Sequence, residues 1–277
     1  MLEDTIAAPR AAVAAADGRR EVAFRGGGFL PKPNAFHSWI AFAVVIALWQ
    51  VAISRRWLDP VFLPSPVAIC EALWSLARSG DLWTHLSTSL MRIGTGWAVG
   101  TLLGLLVGIA MGLSSVTRAV GMPMVSAIFP IPKIALLPLF ILWLGIGEAP
   151  KIVTIASGVF FPTVIATFSG IDSVPRNLIR MAQSFDIPVR GIIWKIILPS
   201  ALPGILAGFR ISLATSLLLV VTAEMIGAQF GIGAFLLTAG NLMQTDDLMA
   251  GVVVLSILGL GLGAILTLTE KAFLSWR

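Results

Sequence analysis

The chain reads as an all-α polytopic membrane protein with about six transmembrane helices. Three observations predict this. Hydrophobic residues make up 57% of the 277 positions, only 12% are charged, and the mean hydropathy is +0.93, far from the balance of a soluble domain. The apolar residues gather into runs close to the length of about 20 residues that crosses about 30 Å of hydrocarbon. Lys and Arg gather mostly between alternate runs, with Arg55, Arg56, Arg78 and Lys151 on the other side, the bias that cytoplasmic retention of positive charge produces.

Positions 1–37 read as a disordered cytoplasmic N-terminal tail, rich in Ala, Gly and Arg. Its first 33 positions lack the apolar core of a cleavable signal peptide. The first expected span is Ser38 to Ile53. Leu63-Pro64-Ser65-Pro66 then leads into an amphipathic helix over Val67 to Ser79, capped by Ser65, with Val67, Cys70, Trp74 and Ala77 on one apolar stripe. A position on the outer surface, packed against the bundle, suits it.

The second span, Arg92 to Leu113, carries Gly96, Gly100, Gly104, Gly108 and Gly112. Glycines at every fourth residue let two membrane helices approach closely. They serve either packing within one subunit or a dimer seam.

The third, Val120 to Leu144, contains Pro123, Pro130, Pro132 and Pro138. It is expected to be broken or kinked, either as a packing helix or as one lining a pathway. Lys133, after Pro130 and Pro132, offers a positive charge to a passing anion or anchors at the interface. The fourth span is Lys151 to Ser169.

Asp172 to Pro199 interrupts the apolar pattern as a short hairpin of two helices. Pro175 and Pro188 open its helices, Asp186 turns the chain between them, and Pro199 is expected to stop the second. On the first helix Leu178, Met181, Ala182 and Phe185 share one face, with Arg176, Arg180 and Gln183 elsewhere around it.

The fifth span, Pro203 to Ile226, holds Arg210 near one end and Glu224 near the other. Ionisable groups inside a span face a cavity or a partner. Glu224, with Met225 beside it, is therefore a candidate for the pathway or gate, or for structural hydrogen bonding; Arg210 is expected to snorkel or pair with a neighbouring helix. The sixth span is Leu248 to Leu268. Six crossings put both termini on one side, with Arg118, Arg176, Arg180, Arg190, Lys195 and Lys271, which makes that side cytoplasmic. The pI near 10.1 then follows from topology and contact with lipid headgroups, and nucleic-acid binding is not expected.

Enzyme chemistry has no foothold in the sequence. No Gly-x4-Gly-Lys-Ser/Thr loop occurs, so no ATP site is expected on this chain. One cysteine, Cys70, excludes an internal disulfide, and His37 and His85 stand outside any metal-ligand spacing. No Ser, His and Asp set marks a nucleophile.

Asp172 to Arg210 resembles the cytoplasmic coupling segment of permeases of ATP-binding cassette (ABC) importers, whose pattern is Glu-Ala-Ala-x3-Gly-x9-Ile-x-Leu-Pro. Aligned on Ile196-Ile197-Leu198-Pro199, this chain has Arg180-Met181-Ala182 in place of Glu-Ala-Ala and Asp186 in place of Gly. Asp enters the left-handed conformation more readily than most residues; Arg for Glu reverses a charge. Further pieces, Leu63 to Pro66, Phe140 to Glu148 with Lys151, Leu198 to Pro203, Gly208 to Arg210, Ala223 to Gly227, Gly231 to Gly233 and Thr245-Asp246, look like the nitrate, sulfonate and taurine branch, over roughly Trp39 to Trp276.

The resemblance implies a type I importer permease fold in positions 38–277, with cytoplasmic coupling helices in a hairpin over 172–199, in the bacterial inner (plasma) membrane. It implies two copies of an ATP-binding subunit that hold ATP and Mg, a second permease copy in a homodimer, and a periplasmic or extracellular solute-binding protein. No cofactor is implied on this chain. The contact with the ATP-binding subunit is assigned to Arg176, Leu178, Arg180, Met181, Ala182, Gln183, Ser184, Phe185, Asp186, Ile187 and Pro188, and the translocation pathway to Pro130, Pro132, Lys133, Glu224 and Met225. The expected cargo is a small anion such as an alkanesulfonate, taurine or nitrate. The competing reading is an ATP-independent channel or secondary transporter, which calls for more intramembrane carboxylates or an inverted repeat.

Overall fold

A computed structural model describes residues 35–274, so most of the expected N-terminal tail lies outside the described residues. The chain divides into two units, one ending at Val51 and one beginning at Ala52. The first is carried by α1 (Ala35–Ser54, 20 residues), a helix with Trp39, Phe42, Val45 and Leu48 exposed along it.

The second unit is helical throughout its regular structure. It contains α2 (Pro66–Ser79), α3 (Asp81–Leu113), α4 (Ser115–Ile128), α5 (Leu137–Leu144), α6 (Glu148–Asp172), α7 (Arg176–Ser184), α8 (Val189–Gly227), α9 (Ile232–Asn241) and α10 (Thr245–Phe273). Among the described residues, α3, α6, α8 and α10 are each long and apolar enough to cross a membrane. The third expected span is a bent pair, broken where its prolines lie, as the sequence predicts. α4 and the segment Lys133–Leu144 meet at 84°. Pro130 and Pro132 remove two backbone donors at the junction, and Pro138 starts α5 in its first turn.

The glycine ladder decides the arrangement of α3 and α6. Gly96 lies against Ile155, Gly100 against Ala156 and Val159, Gly104 against Phe160 and Thr163, Gly108 against Thr167, and Gly112 against Ile171. Both residue numbers rise together, so the two helices run parallel. A Cβ on Gly100 would come within 2.4 Å of the Ala156 carbonyl oxygen, so the helices touch backbone to backbone as small residues permit. The ladder is packing inside one subunit. Two parallel helices need a return crossing between them, and only α4 with α5 connects them; the bent pair therefore makes one traverse. α8 lies antiparallel to α6, with Leu219 near Gly158 and Ala201 near Gly170, and Trp97 on α3 donates to the Ser212 hydroxyl on α8 at 3.0 Å. With Ile232 of α9 and Val254 and Leu258 of α10, Ile93, Ile155, Val159 and Val220 of these helices close one core.

α2 begins where expected. The Ser65 hydroxyl accepts from the Ala68 N–H at 3.1 Å, and Gly80 at φ +90° ends the helix. Its buried side is not the expected stripe. Ile69 is enclosed, whereas Val67 and Trp74 are exposed, because the helix lies on α10 and α3, with Leu73 packed against their core.

Pro199 does not stop the second hairpin helix. α8 runs unbroken for 39 residues from Val189, and the turn at Ile193–Ile197 is widened so that the Leu198 N–H reaches the Ile193 carbonyl, five residues back. This wide turn accommodates the proline ring, which would otherwise press on the carbonyl one turn earlier.

Candidate functional site

Two constructions stand at opposite ends of the helices. The first is the hairpin. α7 ends with the Asp186 N–H on the Gln183 carbonyl (3.0 Å) and the Ile187 N–H on the Ala182 carbonyl (3.2 Å). This paired closure needs a left-handed residue at position 186, and Asp186 takes it at φ +51°. Aspartate thus performs the turn for which glycine is the usual residue.

The predicted apolar face of α7 divides in two. Ala182 is buried with Ile179 against Ile171, Val174, Ile192 and Ile197, and Leu178 is half-buried; this side fastens the hairpin to the bundle. Met181, Phe185 and Val189 remain exposed, Phe185 by 74%. Arg176, Arg180, Gln183, Ser184, Asp186, Ile187, Pro188 and Arg190 surround them, all exposed. An apolar patch ringed by polar groups is the composition of a docking face. Nearby, Arg118 pairs with Asp172 at 2.9 Å and covers the Phe168 ring, and Arg210 pairs with Glu270 of α10 at 2.6 Å. Arg210 therefore pairs with a neighbouring helix, one of the two roles expected for it.

The second construction is a buried charge network at the other end. Glu224, fully enclosed, accepts from the Ser89 hydroxyl (2.8 and 3.0 Å), from Arg92 Nη1 (2.7 Å) and from the Gly233 N–H (2.9 Å). Arg92, 2% exposed, also holds Glu148 through Nε and Nη2 and donates to the Phe230 carbonyl at 2.7 Å. Lys151 meets Glu148 at 3.4 Å. His85 Nδ1 accepts from the Gly231 N–H at 3.0 Å, and the Ser89 hydroxyl accepts from the Ile232 N–H at 2.9 Å. One set of bonds thus ties α3, α6, α8 and the start of α9 together. Gly231 is required in it: its φ is +129°, and a Cβ there would lie 2.3 Å from the Glu224 carboxyl carbon.

Of the residues assigned to a pathway, Glu224 is spent on this network and faces packed protein. Lys133 is spent as well. Its ammonium donates to the carbonyls of Ile128 (2.7 Å) and Ile131 (2.9 Å) and sits 4.4 Å from the Phe161 ring centroid, satisfying carbonyls left open where α4 breaks. Pro130, Pro132 and Met225 are exposed. The sequence reading missed Arg92, Ser89, Glu148 and His85 as a group. Arg92 marked only the start of a span, while α3 begins at Asp81; no local pattern marked its partners, which come from distant segments.

Residues 100–274 match the family model for the binding-protein-dependent transport system inner membrane component. The chain belongs to this family. It is 36% identical over 264 residues to a protein of Bacillus subtilis (strain 168) described as an aliphatic sulfonates transport permease, covering 90% of this chain and 96% of that one. It is also 36% identical to the taurine transport system permease protein of Escherichia coli (strain K12), covering 85% and 87%. A structure of a methionine ABC transporter in an inward-facing conformation superimposes with a TM-score of 0.57 at 23% identity, over 72% of this chain and 96% of that one, which places the fold among importer permeases. The chain is thus an ABC importer permease, a membrane-embedded transport component and not an enzyme. Family membership brings two partner classes, an ATP-binding subunit and a solute-binding protein.

Proposed function

We propose that this permease carries a small organosulfonate, of the taurine or alkanesulfonate kind, across a bacterial inner membrane as one of two identical copies. Two ATP-binding subunits dock on Arg176 to Pro188, with Met181, Phe185 and Val189 as the apolar anchor and the arginines as its rim. The solute-binding protein meets the opposite end, where the charge network lies, and both termini face the cytoplasm. The observation that carries this reading is the hairpin, which holds large apolar side chains in water at the end where exposed arginines collect. The sulfonate and taurine relatives support the cargo class.

In the transport cycle, ATP closes the two partner subunits, the docked hairpins follow, and the spans rock between two openings. Pro130 and Pro132, exposed at the bent pair, and Met225 line the route, with membrane lipid around the remaining helices. Glu224 and Lys133 hold the walls in shape.

Reconstitution with the ATP-binding subunit and the binding protein in vesicles tests the reading through uptake of radiolabelled taurine. Uptake that requires ATP is expected. Equal uptake with and without ATP would favour a channel, and ATP-driven uptake of neutral solutes alone would remove the sulfonate assignment.

A further inference from the structure

The charge network leaves one cation short of partners. Arg92 serves Glu148 twice and Glu224 once, so both carboxylates are already held. Lys151, three residues along α6 from Glu148, reaches only the Glu148 carboxylate, at 3.4 Å, among the described residues. Its side chain is 7% exposed. An ammonium carries three donors, and a buried one demands acceptors.

Beside Lys151 lies a cavity of about 210 Å³. Leu137, Ile141, Ile146, Pro150 and Ala223 line it, and among the described residues Lys151 is the one charged group in its wall. It lies at the first turn of α6, a 25-residue helix with no side-chain cap on its N-terminus. The positive end of the helix dipole adds to the lysine charge. The space holds several waters or one small solute. Glu148 does not need Lys151, because the guanidinium of Arg92 grips it with two donors.

We propose that this cavity is a subsite for a small oxyanion headgroup of the sulfonate class, with Lys151 as its countercharge and the aliphatic wall taking the alkyl part. The assignment rests on the reading of the chain as a sulfonate permease. A neutral solute of the same shape would leave the ammonium with the Glu148 carboxylate alone, at 3.4 Å, so the site discriminates by charge.

The test uses the permease in complex with its ATP-binding subunit, in lipid nanodiscs without binding protein, with radiolabelled ethanesulfonate in equilibrium dialysis. Saturable binding is expected, weakened about tenfold or more in Lys151→Met and less than about threefold in Lys151→Arg. Ethyl methyl sulfone, neutral and of similar size, is expected not to compete. Equal affinity in Lys151→Met, absence of ethanesulfonate binding, or equal competition by the sulfone overturns the subsite. The last two outcomes are read on the native protein, so they decide even where Lys151→Met fails to assemble. ATP-driven taurine uptake by the complete native transporter is measured in parallel. Uptake with Lys151-independent binding removes the subsite alone, whereas Lys151-dependent binding without uptake removes the transport reading.

Discussion

Replacing Arg92 with Met removes the hub of the network and leaves the apolar stem largely in place. The guanidinium holds both oxygens of Glu148, Oε1 of Glu224 at 2.7 Å and the Phe230 carbonyl at 2.7 Å. The consequences differ by site. Glu148 has a side chain 44% exposed, so water replaces much of what it loses. Glu224 is 0% exposed and keeps only the Ser89 hydroxyl and the Gly233 N–H, while the Phe230 carbonyl loses its donor. Breaking a buried pair by removing one partner costs about 3–5 kcal/mol, and for a chain of this size each kcal/mol shifts the melting midpoint by about 2–4 °C. A fall of about 10 °C is expected in detergent, read as the monodisperse fraction surviving a heat step on size-exclusion chromatography. Adding Glu224→Gln to Arg92→Met is expected to recover part of the loss, since a neutral amide still accepts from Ser89 and Gly233; a coupling of about 2 kcal/mol would appear in the cycle. The reasoning is refuted if Arg92→Met melts within about 2 °C of the native protein. It is equally refuted if Glu148→Gln costs as much as Arg92→Met.

Phe185→Asp puts a charge in the centre of the exposed hairpin patch and is expected to reduce co-purification with the ATP-binding subunit and uncouple ATP hydrolysis from uptake, with the melting midpoint unchanged. Gly104→Leu drives a side chain into the Phe160 carbonyl and Thr163 and is expected to abolish folded, monodisperse protein; native-like elution would contradict the backbone contact of α3 with α6. Asp186→Gly relieves the left-handed strain at φ +51° and is expected to stabilise the hairpin by up to about 1 kcal/mol, seen as slower amide exchange at Ile187. Gly231→Ala is expected to displace the Glu224 carboxylate and lower the melting midpoint, and a variant that melts like the native protein would show that the loop yields freely.

Some of this was legible in the sequence because the signal is local. The turn at Asp186 and the cap at Ser65 involve residues within five positions of each other. The glycine ladder is periodic, and Arg210 needed only one carboxylate on a neighbouring helix. Arg92 was illegible for the opposite reason: its partners lie 56 and 132 positions away, and a lone arginine at the edge of an apolar run looks the same whether it snorkels or pairs. Pro199 misled because a proline normally ends or kinks a helix, and only a backbone turn widened by one residue reverses the rule. α9 was hidden as well, since a mostly apolar stretch of ten residues between a glycine turn and a polar loop carries too little pattern to mark a helix.

The unbroken course of α8 gives the molecule a lever. Val189 stands in the hairpin patch and Glu224 in the charge network, 35 residues apart on one helix, which at 1.5 Å per residue is about 52 Å. A tilt of about 5° about one end displaces the other by about 4–5 Å over that length, more than any hydrogen bond tolerates. The widened turn at Ile193–Ile197 sits at the short end of this arm, beside the hairpin, where a fulcrum converts a small sideways push into a long swing. A substitution that tightens that turn would therefore alter the far end of the protein without touching a residue there.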